Sequence, residues 1–231
     1  MSRKDKKSQV QLQRSLVTQE SKSSPISEQY RTIRTNIEFS AVDREIKTIL
    51  VTSAGPAEGK STTAANLAVV MAQNGNSVLL LDTDLRKPTI HYTFGVANMS
   101  GLTNVLTKQG SLEELVQETK IENLSVLPSG PIPPNPAELL NSRMMGLVLE
   151  RAKEMFDTII LDTPPVMAVA DAQILASKCD GTILVVSSGK TEREEVKKAK
   201  VQLVNAKANI LGAILNNKKI DSGSYYYYST K

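Results

Sequence analysis

The sequence predicts a single doubly wound α/β domain with a mainly parallel sheet flanked by helices. Three observations carry that prediction. Short apolar runs recur along the chain: "IKTILVTS" (46–53), "SVLLLD" (77–82), "NLSVLP" (123–128), "DTIILD" (157–162), "GTILVVS" (181–187) and "NILGAILN" (209–216). Stretches with helical spacing separate them, giving the alternation of a repeated strand–helix unit. Most runs are apolar at nearly every position, as strands covered by helices on both faces require.

Residues 1–24 are polar and rich in Ser, Gln and Lys, without sustained periodicity, and read as a flexible basic arm. A helix follows over "SEQYRTIRTNIEFS" (27–40), with Tyr30, Ile33 and Ile37 on one face and Ser27 placed as its cap. After the first strand comes a glycine-containing loop, then a helix in which Ala64, Leu67, Ala68 and Met71 share a face. Further helices fit at 101–117, 136–155, 170–178 and 191–206. "PSGPIPPNP" (128–136) is a stiff loop inside the domain, because the strand–helix rhythm continues beyond it. The organisation expected is therefore arm 1–24, domain 25–216 and tyrosine-rich flexible tail 217–231.

Bulk composition narrows the function classes. The chain has 231 residues, 40% hydrophobic and 23% charged, and a formal net charge of +4, much of it in "MSRKDKK". No run approaches the roughly 18 apolar residues of a membrane span and no secretion signal is visible, so a cytoplasmic location is expected. The lone Cys179 excludes an internal disulfide and a multi-cysteine metal site, and His91 is the only histidine. No nucleic-acid partner is predicted.

"SAGPAEGKST" (53–62) joins a buried strand to a helix and fits the relaxed phosphate-loop pattern, Ala54 followed by four residues and then Gly59, Lys60 and Ser61. Glycine at 59 lets backbone amides turn toward an anion, at the end of a helix whose dipole favours negative charge. Lys60 can reach β and γ phosphates, and the Ser61 hydroxyl can ligate Mg²⁺. Two acidic strand ends complete the pattern: "VLLLDTDLRKP" supplies Asp82 and Asp84, and "TIILDTPP" supplies Asp162. In an open α/β sheet the carboxyl ends of the strands form the ligand edge, and Mg²⁺ prefers such hard oxygen donors. A single strand-end aspartate is commonly a cap or turn former; three beside a phosphate loop predict an ATP and Mg²⁺ site.

The set "SAGPAEGKSTTAANLA", "VLLLDTDLRKP" and "IILDTPP" resembles the bacterial tyrosine kinases, over roughly residues 25–231. The resemblance implies a P-loop NTPase fold with Walker A, Walker A′ and Walker B motifs, and a terminal tyrosine cluster that is autophosphorylated. It implies that Gly55, Pro56, Ala57, Glu58, Gly59, Lys60, Ser61 and Thr62 wrap the phosphates. Ser61, Asp82 and Asp162 would hold the metal, Lys60 would neutralise charge, and Asp84 would orient or deprotonate the acceptor hydroxyl. Asn216, at the end of the last strand, is a candidate adenine contact or a simple turn residue. "EQYRTIR" matches the family's E-x-x-R-x-x-R motif at Glu28, Arg31 and Arg34, which is associated with assembly into a ring; by itself such spacing commonly marks a solvated helix pair. The family also implies a separate transmembrane activator, a polysaccharide co-polymerase, that recruits the kinase to the inner face of the membrane, protein-tyrosine substrates, and control of capsule or exopolysaccharide synthesis and export.

Tyr225, Tyr226, Tyr227 and Tyr228 stand side by side, although the chain has only six tyrosines. Four adjacent rings cannot share one face of a strand or helix, so the run is a poor packing element. As acceptors on a tether they have a purpose. The eight residues 217–224, extended, span roughly 30 Å, and tethering raises local acceptor concentration toward millimolar. Delivery to a neighbouring copy is favoured, since a short tether must double back to reach its own site. The competing reading is a partition or division-site ATPase switch without kinase activity. Those proteins usually carry a lysine where this chain has Gly55.

Overall fold

A computed structural model of the protein describes residues 16–40 and 45–218. Along the described chain the elements are α1 (Val17–Glu20), α2 (Pro25–Phe39), β1 (Thr48–Ser53), α3 (Lys60–Ala72), β2 (Val78–Asp82), α4 (Ile90–Phe94), α5 (Leu102–Leu106), α6 (Leu112–Leu115), β3 (Gln117–Glu118), β4 (Leu124–Leu127), α7 (Pro136–Asn141), α8 (Arg143–Met155), β5 (Thr158–Asp162), α9 (Asp171–Ala176), β6 (Gly181–Ser187), α10 (Arg193–Asn205) and β7 (Ile210–Asn216). The strands form one sheet in the order β3-β4-β2-β5-β1-β6-β7, parallel except for β3 against β4. All six predicted strands are present.

Alternation along each strand divides the core in two. Leu79, Leu81, Ile159 and Leu161 face a layer containing residues of α5, α7, α8, α9 and α10, while Val78, Leu80 and Ile160 face α3 and, beyond it, α1 and α2. Helix α3 is buried on almost every side, because the sheet covers one face and α1 and α2 another. That explains a helix with hardly a polar stripe. Its buried Asn66 needs partners, and Thr18 supplies them: Thr18 N donates to Asn66 Oδ1 at 3.1 Å and Thr18 Oγ1 at 2.9 Å. Leu16, Val17 and Thr18, read from sequence as part of the flexible arm, therefore pack onto the domain, with Leu16 and Thr18 buried, while residues 19–23 are exposed.

Other differences have local causes. Ser24, not Ser27, caps α2: its Oγ accepts from Ser27 N at 3.1 Å, and Pro25 opens the helix, where its missing N–H costs nothing. The predicted helix 101–117 breaks into α5 and α6, because Lys108 adopts φ 60° and Ser111 starts a new turn with a reciprocal cap to Glu114. The predicted helix 136–155 breaks at Ser142, whose ψ of 158° is extended and whose Oγ accepts from Met145 N. Helix α4 and the two-residue β3 had no periodicity to reveal them.

Candidate active site

Strands β2, β5 and β1 lie side by side, and all three carboxyl ends deliver site residues to one edge. β1 runs into the loop 54–59, which ends at Gly59 with φ 92°, a left-handed conformation that favours glycine. Inside the loop the Glu58 side chain is buried and braces the turn, its Oε1 accepting from Gly55 N at 2.6 Å. Lys60 and Ser61 then open α3, at the positive end of its dipole.

The Lys60 ammonium is the hub of the site. Its Nζ lies 3.1 Å from Asp84 Oδ2, 3.4 Å from Asp162 Oδ1 and 3.2 Å from Ser61 Oγ. Asp82 and Asp162 are register partners on β2 and β5, and both are fully buried. Asp82 Oδ2 accepts from the amides of Thr89 and Ile90 at 2.9 and 3.0 Å, whereas its Oδ1 has no hydrogen-bond partner among the described residues. Asp84 Oδ1 accepts from Lys87 N at 3.0 Å, which fixes the turn after β2.

Three carboxylates thus face one ammonium. Burial opposes the charge on Lys60, but Asp162 and Asp84 outweigh it and hold its pKa above the usual lysine value. Burial, then the Asp162 charge, pushes Asp82 up to about 7 against the amides that favour its ionised form. A negative excess and an orphaned buried carboxylate oxygen fit a hard divalent cation. Among the described residues no group of three His, Cys, Asp or Glu could hold a metal unaided. The donor set therefore suits Mg²⁺, which keeps waters and takes phosphate oxygens.

The phosphate loop with its acidic strand ends is matched by known proteins. Residues 46–209 match the family model described as an AAA domain. The chain is 56% identical to the tyrosine-protein kinase YwqD of Bacillus subtilis over 95% of this chain and 93% of that one. Among solved structures it superposes on the chimerical protein CapA2B2 with a TM-score of 0.86 at 40% identity, covering 95% of this chain and all of that one (100%). It superposes on the kinase domain of the Escherichia coli tyrosine kinase ETK with a TM-score of 0.84 at 31% identity, covering 89% and 82% respectively. The chain belongs to the bacterial tyrosine-kinase family. The partition-type alternative is correspondingly disfavoured.

Seen as a tyrosine kinase, the site gathers Lys60, Ser61, Asp84 and Asp162 within direct contact, with Asp82 beside Asp162. Asn216 reaches the same loop, donating from Nδ2 to the Glu58 carbonyl at 2.9 Å. Glu28, Arg31 and Arg34 lie elsewhere, on α2. Arg31 pairs with Glu28 and donates to the Lys22 carbonyl at 2.7 Å, and Arg34 donates to the Val70 carbonyl at 3.2 Å. Val70 is ten residues along α3 from Lys60, about 15 Å of helix. Tyr225 to Tyr228 lie outside the described residues. Cys179 is half-buried, and desolvation pushes its thiol up to about 12, which disfavours the thiolate.

Sequence reasoning missed Arg86. Its guanidinium grips the buried Asp171 with two bonds, Nε to Oδ2 at 2.8 Å and Nη2 to Oδ1 at 3.1 Å, tying the turn after β2 to α9. The spacing Asp82-x-Asp84-x-Arg86 was available as a signal, but its partner lies 85 residues away.

Proposed function

We propose that this tyrosine kinase transfers the γ-phosphoryl group of Mg-ATP to Tyr225–Tyr228 of a neighbouring copy. The observation that carries the reading is the Lys60 ammonium lodged between Asp84 and Asp162 at the mouth of the phosphate loop. With nucleotide in the loop, Lys60 turns from Asp84 to the β and γ phosphates and leaves Asp84 Oδ2 for the acceptor. Asp84 then orients the tyrosine hydroxyl and takes its proton, as the bond from γ-phosphorus to the ADP oxygen breaks and the bond to the tyrosine oxygen forms. Ser61, Asp82 and Asp162 would hold Mg²⁺, which supplies neutralisation of charge on the phosphates. The loop 55–62 wraps the phosphates.

Because β7 runs parallel to β6, the chain leaves the sheet at the nucleotide edge, so the tether 217–224 starts beside the site. Each phosphorylated tyrosine gains about 1.5 to 2 negative charges, and several in a row repel one another and the acidic site, which releases the ring. Glu28, Arg31 and Arg34 contribute to the contact between copies. No helix among the described residues is long and apolar enough to cross a membrane. In this reading a transmembrane activator brings the kinase to the inner face of the membrane, where it regulates polysaccharide synthesis and export. The membrane partner and the polysaccharide role rest on the family resemblance.

The test is incubation of the full chain with Mg-ATP, followed by peptide mass spectrometry and by comparison of label on protein with phosphate released to water. Phosphate on the tyrosine run is the expected result. Release to water with an unlabelled tail, in an assembled preparation, refutes the reading.

A further inference from the structure

The phosphate loop is held from its outer side. Lys190, in the turn between β6 and α10, donates from Nζ to the carbonyls of Pro56 at 3.2 Å and Ala57 at 3.3 Å. Asn216 adds the next carbonyl, that of Glu58. Three successive carbonyls are therefore bound by two side chains that come from distant parts of the sequence.

Each of those carbonyls shares a peptide plane with the following amide, those of Ala57, Glu58 and Gly59. The peptides are trans, so each N–H points away from the carbonyl of its own plane. Fixing the three oxygens outward turns the three amides inward. The loop needs such help: Ala57 sits at φ 59°, a left-handed conformation an alanine rarely adopts, and Lys190 binds the carbonyls on both sides of it. Gly59 leaves room for the second support, since a Cβ there would lie 2.0 Å from Asn216 Nδ2. The two supports are also joined to each other. Ser188 N donates to the Asn216 carbonyl at 2.8 Å, Lys190 N to the Ser187 carbonyl at 3.2 Å, and Asn217 Nδ2 to Ser187 Oγ at 3.0 Å.

We propose that Lys190 and Asn216 are positioning residues for the triphosphate: by binding the carbonyls of Pro56, Ala57 and Glu58 from outside, they keep the amides of Ala57, Glu58 and Gly59 turned toward the phosphates. The inference rests on the reading of loop 54–59 as the nucleotide's phosphate cradle. It separates cleanly from an adenine contact by Asn216. An adenine contact needs a base, whereas support of the loop is felt by any polyphosphate.

The experiment is calorimetric titration of the full chain with Mg-ATP and, separately, with inorganic tripolyphosphate plus Mg²⁺. Wild type, Lys190→Met, Lys190→Arg and Asn216→Ala are compared, with thermal unfolding of each unliganded protein as the check on folding. Lys190→Met and Asn216→Ala are expected to weaken both probes by a similar factor, roughly threefold to tenfold, as the loss of two exposed hydrogen bonds or one part-buried hydrogen bond implies. Lys190→Arg keeps two donors and stays within about twofold of wild type. In steady-state tail labelling, the Lys190→Met loss falls on KM for ATP rather than on kcat, because Lys190 touches no reacting atom. If Lys190→Met does not fold, Asn216→Ala alone decides. Unchanged affinity for both probes overturns the proposal, and so does a loss of ATP affinity by Asn216→Ala with tripolyphosphate unaffected. Failure of the wild type to bind either probe would instead overturn the cradle reading itself.

Discussion

Replacing Asp82 with Asn is expected to make the metal-free protein more stable while destroying its activity. Asp82 is fully buried and its pKa is raised to about 7, against about 3.9 in an unfolded chain. Between about pH 4 and pH 7 the folded state therefore keeps a proton that the unfolded chain has lost, so this group makes stability fall as pH rises through that window. Above pH 7 the penalty is complete. Three pKa units at about 1.4 kcal/mol each set a ceiling of about 4 kcal/mol. Asn keeps one carbonyl oxygen for the amides of Thr89 and Ile90 but places an NH₂ where Asp82 Oδ1 had no partner, which lowers the gain. The net expectation at pH 8 is about 1 to 4 kcal/mol, or roughly 3 to 12 °C in Tm for a domain of this size. The assay is thermal unfolding of both proteins in EDTA without nucleotide, at pH 4.5 and pH 8. The advantage of Asp82→Asn should be small at pH 4.5 and large at pH 8, and Mg-ATP should raise Tm more for the wild type. An equal or absent advantage at the two pH values refutes the reasoning.

Lys60→Met should abolish tail labelling by radioactive ATP; undiminished labelling would place the phosphoryl-transfer site elsewhere. Changing Glu28, Arg31 and Arg34 together to Ala should give a smaller species by light scattering. The accompanying fall in stability should be only about 1 to 2 kcal/mol, because the ties these side chains make beyond α2 are two hydrogen bonds, from Arg31 to the Lys22 carbonyl and from Arg34 to the Val70 carbonyl. The Arg86 and Asp171 pair should respond asymmetrically in chemical denaturation. Arg86→Ala strands a buried carboxylate and should cost about 3 to 5 kcal/mol, whereas Asp171→Ala leaves a guanidinium, 39% exposed, that can turn to water, and should cost less than half as much.

What was legible in the sequence was whatever repeats locally or carries its own chemistry. The buried strands announced themselves by unbroken apolar runs, and the loop before Lys60 and the aspartates after β2 and β5 by residue type and position. Contacts between distant residues left no such trace. Thr18 meets Asn66, Arg86 meets Asp171, and Lys190 meets Pro56 and Ala57 only because the sheet brings their loops together. Nothing in "SSGK" distinguishes a lysine that binds two carbonyls from one that waves in solvent. Helix breaks left only short local marks, the cap pair Ser111 and Glu114 after Gly110 and the cap Ser142, which the helical spacing on either side of them masked.

Asp82 and Asp162 occupy matched rungs of adjacent parallel strands, and the neighbouring strand leads straight into the phosphate loop. Neither acid can travel without dragging a hydrogen-bonded ladder along with it, and a slip by a single rung would swing its side chain to the opposite face of the sheet. Whatever shifts during turnover is thus left to the loops around them, with the acids serving as a fixed anvil.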